Sequence, residues 1–263
     1  SVSFFLGANT PGGFFSLFSE LHSPEEGWRL YIIKGGPGTG KSTLMKRIAE
    51  ACDRRGLFCE RIYCSSDPHS LDAVIIPSLK ISIADGTPPH VIEPRYPGVA
   101  EKFVDLGMFR DDGKLIAHRD EIIELTKENS FYHKKCVDFL MAARAAENDT
   151  SSVVIPAMKI STLHKFSEKL SVKLLTSVTD TPVKMKKRII SAVTPEGITE
   201  FTDTFNSLCE RRVMLYDSFG SAAAEKSITL FVMHDGKTNQ LDALVDSGNL
   251  AVDPFDKTPV MLV

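Results

Sequence analysis

The segment that most restricts the fold of this sequence is Gly35-Gly36-Pro37-Gly38-Thr39-Gly40-Lys41-Ser42, which fits the pattern G-x-x-x-x-G-K-[ST]. Residues 29–33 before it are apolar and β-prone, which predicts a short buried strand. After it, apolar side chains recur at helical spacing and Gly56 supplies a stop; the recurring residues are Leu44, Met45, Ile48, Ala49 and Cys52. A strand, a glycine-rich turn and a helix in this order predict a phosphate-binding loop.

The residue types of this loop have a physical reason. Glycines let backbone N–H groups converge on phosphate oxygens, and the helix N-terminus adds positive dipole. We expect Lys41 to reach the β- and γ-phosphates and the Ser42 hydroxyl to bind Mg²⁺. The predicted nucleotide-binding residues are Gly35, Gly36, Pro37, Gly38, Thr39, Gly40, Lys41, Ser42 and Thr43. The sequence lacks a guanine-reading N-K-x-D, which favours ATP over GTP.

Phosphate-transferring enzymes with such a loop also need an acid near Mg²⁺, at the end of a neighbouring strand. Asp85 follows the predicted strand 80–84 and is the expected second metal ligand and catalytic acid. A turn or cap aspartate before Gly86 is the alternative. Asp67 and His90 lie in loops that we expect to open at the same edge. Each is predicted either to orient water or substrate or to be a solvated loop residue.

The order of predicted elements defines the fold class. Strand 57–63, a short helix at 70–79 and strand 80–84 follow the first helix, which is typical of α/β proteins. We expect a P-loop NTPase-type, mostly parallel sheet in a core of residues 1–113. Residues 114–185 are predicted to form a helical insertion, with helices over 114–146 and 157–170. It is either a packed helical hairpin or a lid over the nucleotide.

A weak internal repeat links two distant segments. Ala8-x-Thr10-Pro11-x-Gly13 recurs as Ala192-x-Thr194-Pro195-x-Gly197, and each copy precedes an apolar strand and a loop. Residues 186–225 are therefore interpreted as a degenerate, partial second P-loop repeat. In the second loop Glu225 replaces the glycine before the lysine, which adds a negative charge beside any phosphate. We expect no nucleotide there.

The composition limits the partners and the cellular location that we expect for this protein. The net charge of −3 gives no general reason to expect nucleic acid as a partner, and no stretch has the roughly 18 apolar residues that span a bilayer. Five cysteines without a C-x-x-C pair indicate a reducing, cytoplasmic location. A metal site of Cys59, Cys64 and His69 is conceivable, but two cysteines five apart on one strand would point to opposite faces.

Residues 4–223 resemble a bacterial family of duplicated P-loop ATPases found mainly in Firmicutes. The resemblance rests on the glycine-rich loop, the two repeat copies, Cys64-Ser65-Ser66-Asp67, Ile75-Ile76-Pro77 and Asp85-Gly86-Thr87-x-Pro89-His90. It implies two P-loop halves, of which the second is short here.

The last residues resemble a different family. Residues 226–263, with Asp246-Ser247-Gly248-Asn249, are similar to the start of the peptidase domain of the sporulation sigma-E factor-processing peptidase. That resemblance implies an aspartic peptidase fragment or fusion, small and β-rich, with Asp246 as its catalytic acid. Aspartic catalysis needs two carboxylates that share a proton, and only 17 residues follow Asp246.

The sequence is thus consistent with three functions. The first is Mg²⁺-dependent ATP binding with hydrolysis or phosphoryl transfer, which requires Lys41. The second is a nucleotide-sensing module without turnover, and the third is an aspartic endopeptidase that depends on Asp246. The sequence names neither an acceptor substrate nor a protein partner.

Overall fold

The computed structural model describes residues 1–157, 186–208, 228–234 and 237–243, with single positions between 159 and 169. The strands are β1 (Val2–Phe5), β2 (Gly7–Thr10), β3 (Gly13–Ser16), β4 (Arg29–Lys34), β5 (Glu60–Tyr63), β6 (Leu71–Ile76), β7 (Ile81–Asp85), β8 (Glu101–Asp105), β9 (Ser191–Thr194), β10 (Gly197–Glu200), β11 (Ile228–His234) and β12 (Lys237–Ala243). The α-helices are α1 (Lys41–Arg54), α2 (Asp112–Ala117), α3 (Arg119–Ala157) and α4 (Thr202–Leu208). Contacts divide the chain into one unit of Ser1–Met141 with Ser191–Glu200, and another of Ala142–Ile190 with Phe201–Val263.

The first unit is built on a six-stranded sheet in the order β1-β5-β6-β7-β4-β8. All strands run parallel except β6, which is antiparallel to both of its neighbours. The protein is thus a mixed α/β protein with a mainly parallel central sheet. The carboxyl ends of β7, β4 and β8 and the start of β6 meet at one edge of this sheet.

Helix α1 covers one face of the sheet. Its buried residues Met45, Ala49 and Cys52 pack in one cluster with Ile33 of β4 and with apolar residues of β6. The helix begins where Gly40 takes a positive φ of 86° and ends before Gly56, whose φ is 66°. The predicted strand–loop–helix succession is therefore observed, with the predicted stop at Gly56.

The prediction of a helix over 70–79 is wrong. The segment forms strand β6, every residue of which is buried, and then a single 3₁₀ turn at Pro77–Leu79. Val74, Ile75 and Ile76 are β-branched, and they pack well in a strand that is covered on both faces. As a result β5 and β7 are joined through an antiparallel strand and not through a helical crossover.

The two copies of the repeated motif fold into matching hairpins. In the first, β2 pairs with β3 and Thr10 opposes Gly13; in the second, β9 pairs with β10 and Thr194 opposes Gly197. Each threonine hydroxyl donates to the carbonyl of its glycine, over 2.7 Å and 3.1 Å respectively. The glycines have nearly equal φ angles of 101° and 104°. The repeat is thus a repeat of structure as well as of sequence.

The helical region predicted after residue 113 is observed as α2 and α3, but α3 continues to Ala157, so the predicted break after residue 146 is wrong. Several large apolar residues are exposed along α3, among them Leu125, Tyr132 and Phe139. The described positions between 161 and 169 that follow are also mostly helical. Among the described residues, no helix combines the length and apolar character that crossing a bilayer requires. In the second unit, β11 and β12 form an antiparallel hairpin from Ile228 opposite Ala243 to His234 opposite Lys237.

Candidate functional site

The glycine-rich loop connects the end of β4 to the start of α1. Gly38 and Gly40 have φ angles of 77° and 86°, a region that L-residues with a side chain rarely enter. Because Gly40 is the residue before the helix, no side chain caps the first N–H groups of α1. These N–H groups and the positive end of the helix dipole therefore face the loop, an arrangement suited to an anion.

The ammonium group of Lys41 lies within this loop. Its Nζ donates hydrogen bonds to the carbonyl oxygens of Gly35 and Gly36, over 2.9 Å and 3.0 Å. The side chain is only 12% exposed, and Nζ lies 3.6 Å from Oδ2 of Asp85. A positive charge is thus held inside the glycine-rich loop.

Asp85 is the last residue of β7 and pairs with Ile33 of β4, so it reaches the same edge as the loop. Its Oδ1 accepts hydrogen bonds from the backbone N–H and the hydroxyl of Thr87, over 2.9 Å and 2.6 Å. Its Oδ2 faces Lys41. The structure therefore brings Lys41 and Asp85 to the same edge of the sheet, while the role of Asp85 as a metal ligand stays a prediction.

Ser42 is tied to the neighbouring strand. Its hydroxyl oxygen accepts a hydrogen bond of 2.9 Å from the backbone N–H of Leu71, at the start of β6. A hydroxyl oxygen has two lone pairs, so one remains available to a cation. Thr39 is also fixed in the loop, since its hydroxyl donates to the carbonyl of Gly36 over 2.9 Å.

The segment after β7 is held by Lys34, the last residue of β4. Lys34 Nζ donates to the carbonyl oxygens of Gly86 and Ile92, over 2.9 Å and 3.1 Å. This segment carries His90, whose ring is buried and stacked on the ring of Phe18. Burial lowers the pKa of His90 to about 4, so its imidazole is neutral at pH 7. His90 is thus an enclosed residue, and the alternative of a solvated loop histidine is wrong.

Asp72 is a site residue that the sequence analysis missed. It is the second residue of β6, and its neighbour Ala73 pairs with Ala84, which places Asp72 beside Asp85 at the sheet edge. Burial is the main cause that raises its pKa to about 7. An acidic residue inside the apolar run 71–76 was the available signal, since carboxylates are rarely buried without a function or a partner.

The other predicted polar residues do not gather into one site. Asp67 is exposed, and its Oδ1 accepts a hydrogen bond of 3.1 Å from the backbone N–H of His69. The Nε2 of His69 in turn lies 2.7 Å from Oε1 of Glu196. Cys59 is fully buried beside the Ser1 hydroxyl, whereas Cys64 contacts Asp72. Within the described part of the chain, no three metal-ligating side chains come together, so the Cys59–Cys64–His69 site is not formed.

An apolar cleft of about 280 Å³ lies elsewhere, beside α1 on the sheet face. Its lining residues are Tyr31, Ile33, Leu44, Ile48, Ile76, Ile81, Ile83 and Val104. Because it offers almost no polar group, it does not suit a phosphate-bearing ligand. The polar edge formed by Lys41, Asp72 and Asp85 is the better candidate site.

Two predictions concern residues outside the described part of the chain. Asp246, the acid of the peptidase interpretation, lies beyond the end of β12. Glu225 and its neighbours in the second, degenerate loop lie between α4 and β11. Both remain predictions from the sequence.

Comparison with known proteins gives no match for this chain among protein-family models, curated proteins or solved structures. The function is therefore inferred from the residues of the candidate site.

Proposed function

We propose that this protein binds ATP with Mg²⁺ at residues 35–43 and directs chemistry at the γ-phosphate. The observation that carries the proposal is the position of Lys41. Its ammonium lies within the glycine-rich loop and 3.6 Å from Asp85, at the ends of two adjacent parallel strands. A cation, a helix N-terminus and a strand-end carboxylate at one edge are the groups that a nucleotide–Mg²⁺ complex requires.

In this proposal each group has one task. The loop N–H groups and Lys41 neutralise the β- and γ-phosphates, and Ser42 and Asp85 hold Mg²⁺. Phosphoryl transfer depends mainly on such positioning and on electrostatic stabilisation of the transferred group. Nucleotide binding without turnover is the alternative, and measured turnover separates it from an ATPase or a kinase. The cytoplasm, where ATP is abundant, is the setting that this function fits.

The proposal is tested by thermal melting with and without saturating ATP–Mg²⁺. A ligand at a hundred times its dissociation constant stabilises a protein by about 2.7 kcal/mol, which is readily seen as a melting shift. We expect the parent protein to show this shift and Lys41→Ala to lose it. Lys46→Ala is the matched control, because Lys46 lies on the exposed side of the same helix. An equal shift in the Lys41 variant and the control would refute the assignment.

A further inference from the structure

Several buried polar groups next to Asp85 have no task in nucleotide binding. Asp72 is one of them, with a side chain only 8% exposed. Because β6 runs antiparallel to β7, the start of β6 lies at the edge where β7 ends. Burial raises the pKa of the Cys64 thiol to about 12, with the charge of the nearby Asp72 as a second cause, so this thiol stays protonated.

His90 faces the carboxylate of Asp72. Its ring stacks on Phe18 with the centroids 4.1 Å apart and the planes 5° from parallel, and the centroid of the Phe14 ring lies 6.3 Å away. His90 Nε2 is 3.9 Å from Asp72 Oδ1, which is too long for a direct hydrogen bond. Within the described residues, neither ring nitrogen has a hydrogen-bond partner.

Another buried polar group without a partner follows Cys64 in the sequence. Ser65 follows Cys64 after β5, is 1% exposed, and its Oγ also lacks a hydrogen-bond partner among the residues described. Folded proteins contain few buried polar groups without a hydrogen-bond partner, because leaving such a group unpaired is costly. The two unpartnered ring nitrogens of His90, one of them 3.9 Å from the Asp72 carboxylate, therefore indicate a site that is completed by a polar ligand.

We propose that Asp72 and His90 bind the O–H group that attacks the γ-phosphate. This inference rests on the proposed function, because Lys41 and Asp85 hold the nucleotide at the adjoining strand ends. A single oxygen can lie about 2.8 Å from both His90 Nε2 and Asp72 Oδ1, since these atoms are 3.9 Å apart. The neutral imidazole then donates to this oxygen, and the O–H donates to the carboxylate.

The reaction at this site balances without a further reactant. The oxygen forms a bond to the γ-phosphorus, the bond between that phosphorus and the β,γ-bridging oxygen breaks, and ADP leaves with the electron pair. The proton of the O–H group passes to the Asp72 carboxylate. Water as the nucleophile gives inorganic phosphate, and an alcohol gives a phosphate monoester.

The test uses the full chain with ATP–Mg²⁺, in water and with glycerol added as a model alcohol. Products are identified by ³¹P NMR, which separates inorganic phosphate from a monoester. We expect Asp72→Asn to lower kcat by about 10²- to 10⁴-fold, the usual contribution of a positioned acid or base. Its KM for ATP and its ATP-induced melting shift should stay at the parent values. Asp112→Asn is the control, since Asp112 is exposed on α2.

A second variant protects the test against misfolding. His90→Phe keeps an aromatic ring on Phe18 but removes both ring nitrogens, so kcat should fall while the melting shift is retained. A kcat within twofold of the parent for Asp72→Asn would overturn the proposal, as would a parent protein that binds ATP–Mg²⁺ but transfers phosphate to neither acceptor. Failure of the parent to bind ATP–Mg²⁺ at all would instead refute the proposed function, and this site with it.

Discussion

The ammonium of Lys41 and the carboxylate of Asp85 face each other across 3.6 Å, and both side chains are largely withdrawn from solvent. The two residues come from different elements, since Lys41 opens α1 and Asp85 ends β7. Their opposite charges meet only because β4 and β7 are adjacent and parallel. In the proposed function Lys41 binds phosphate and Asp85 binds Mg²⁺. Because these two roles differ, mutation of each residue should change a different property of the protein.

Asp85→Asn should reduce turnover far more than nucleotide affinity. The amide keeps an oxygen that can accept from Thr87, but it loses the charge that attracts Mg²⁺. We expect turnover to fall about 10- to 100-fold, a range typical of changes around a metal centre, and the Mg²⁺ concentration for half-maximal rate to rise. Glu50→Gln is the control, because Glu50 is an exposed acid on α1. Equal turnover in Asp85→Asn and the parent would move the metal role to another acid, and Asp67 would be the next to test.

The sequence predicted Lys41 and Asp85 of the candidate site, and it offered His90 as a residue that orients water or substrate, but it missed Asp72. A glycine-rich turn between an apolar strand and an amphipathic helix is a local pattern, and an aspartate at a strand end is visible from the strand alone. The antiparallel pairing of β6 is not local, because it depends on the burial of Leu71–Ile76 between β5 and β7. Short apolar runs are ambiguous between helix and strand, and that ambiguity removed Asp72 from consideration.

The burial of His90 could not be predicted from the sequence either. Its loop was predicted to open at the correct edge, but its ring is enclosed by Phe18, which lies in the N-terminal segment. That segment contributes β1 to the central sheet, and Phe4, Phe5 and Leu6 to the core. Packing between segments so distant in the chain follows from tertiary structure and not from local propensity.

The paired hairpins predict equal responses to equal substitutions. Gly13→Ala and Gly197→Ala should each destabilise the protein by about 1–2 kcal/mol, because both positions require a positive φ. No atom lies within 4 Å of the added Cβ at either glycine, so the cost is conformational and not steric. Gly12→Ala is the control, since Gly12 is not among the positive-φ residues and its added Cβ would meet Thr10 only at 3.7 Å. Urea unfolding that shows a cost at one hairpin alone would contradict their equivalence.

Asp246→Ala is expected to leave ATP-dependent activity unchanged and to reveal no peptidase. Aspartic catalysis requires a second carboxylate that shares a proton with the first, and the nearest aspartates in the sequence are Asp242 and Asp253. The measurement is ATP turnover together with cleavage of an unfolded protein substrate, with and without a pepstatin-type inhibitor. Inhibitor-sensitive cleavage that disappears in the Asp246 variant would make the peptidase interpretation the primary one.

Asp72 and His90 should give the folded protein two opposed pH dependences. The pKa of Asp72 is about 7 in the fold against an ordinary value of 3.8, so the folded state binds this proton more tightly than the unfolded chain. Its contribution to stability therefore falls as the pH rises between these values. The pKa of His90 is about 4 against an ordinary 6.5, so the unfolded chain takes up that proton first. Its contribution is therefore lost as the pH falls from 6.5 towards 4.

Single variants should separate the contributions of Asp72 and His90 to the pH dependence of stability. Compared with the parent, Asp72→Asn should gain stability on going from about pH 4.5 to about pH 7.5, by an amount on the order of a few kcal/mol. His90→Phe should gain relative stability in the opposite direction, as the pH is lowered through the same range. The free energy of unfolding in urea, measured for all three proteins at both pH values, checks this directly. Stability differences that do not change with pH would mean that neither side chain is buried as the structure places it. That result would also contradict the proposal that Asp72 and His90 bind the attacking O–H group.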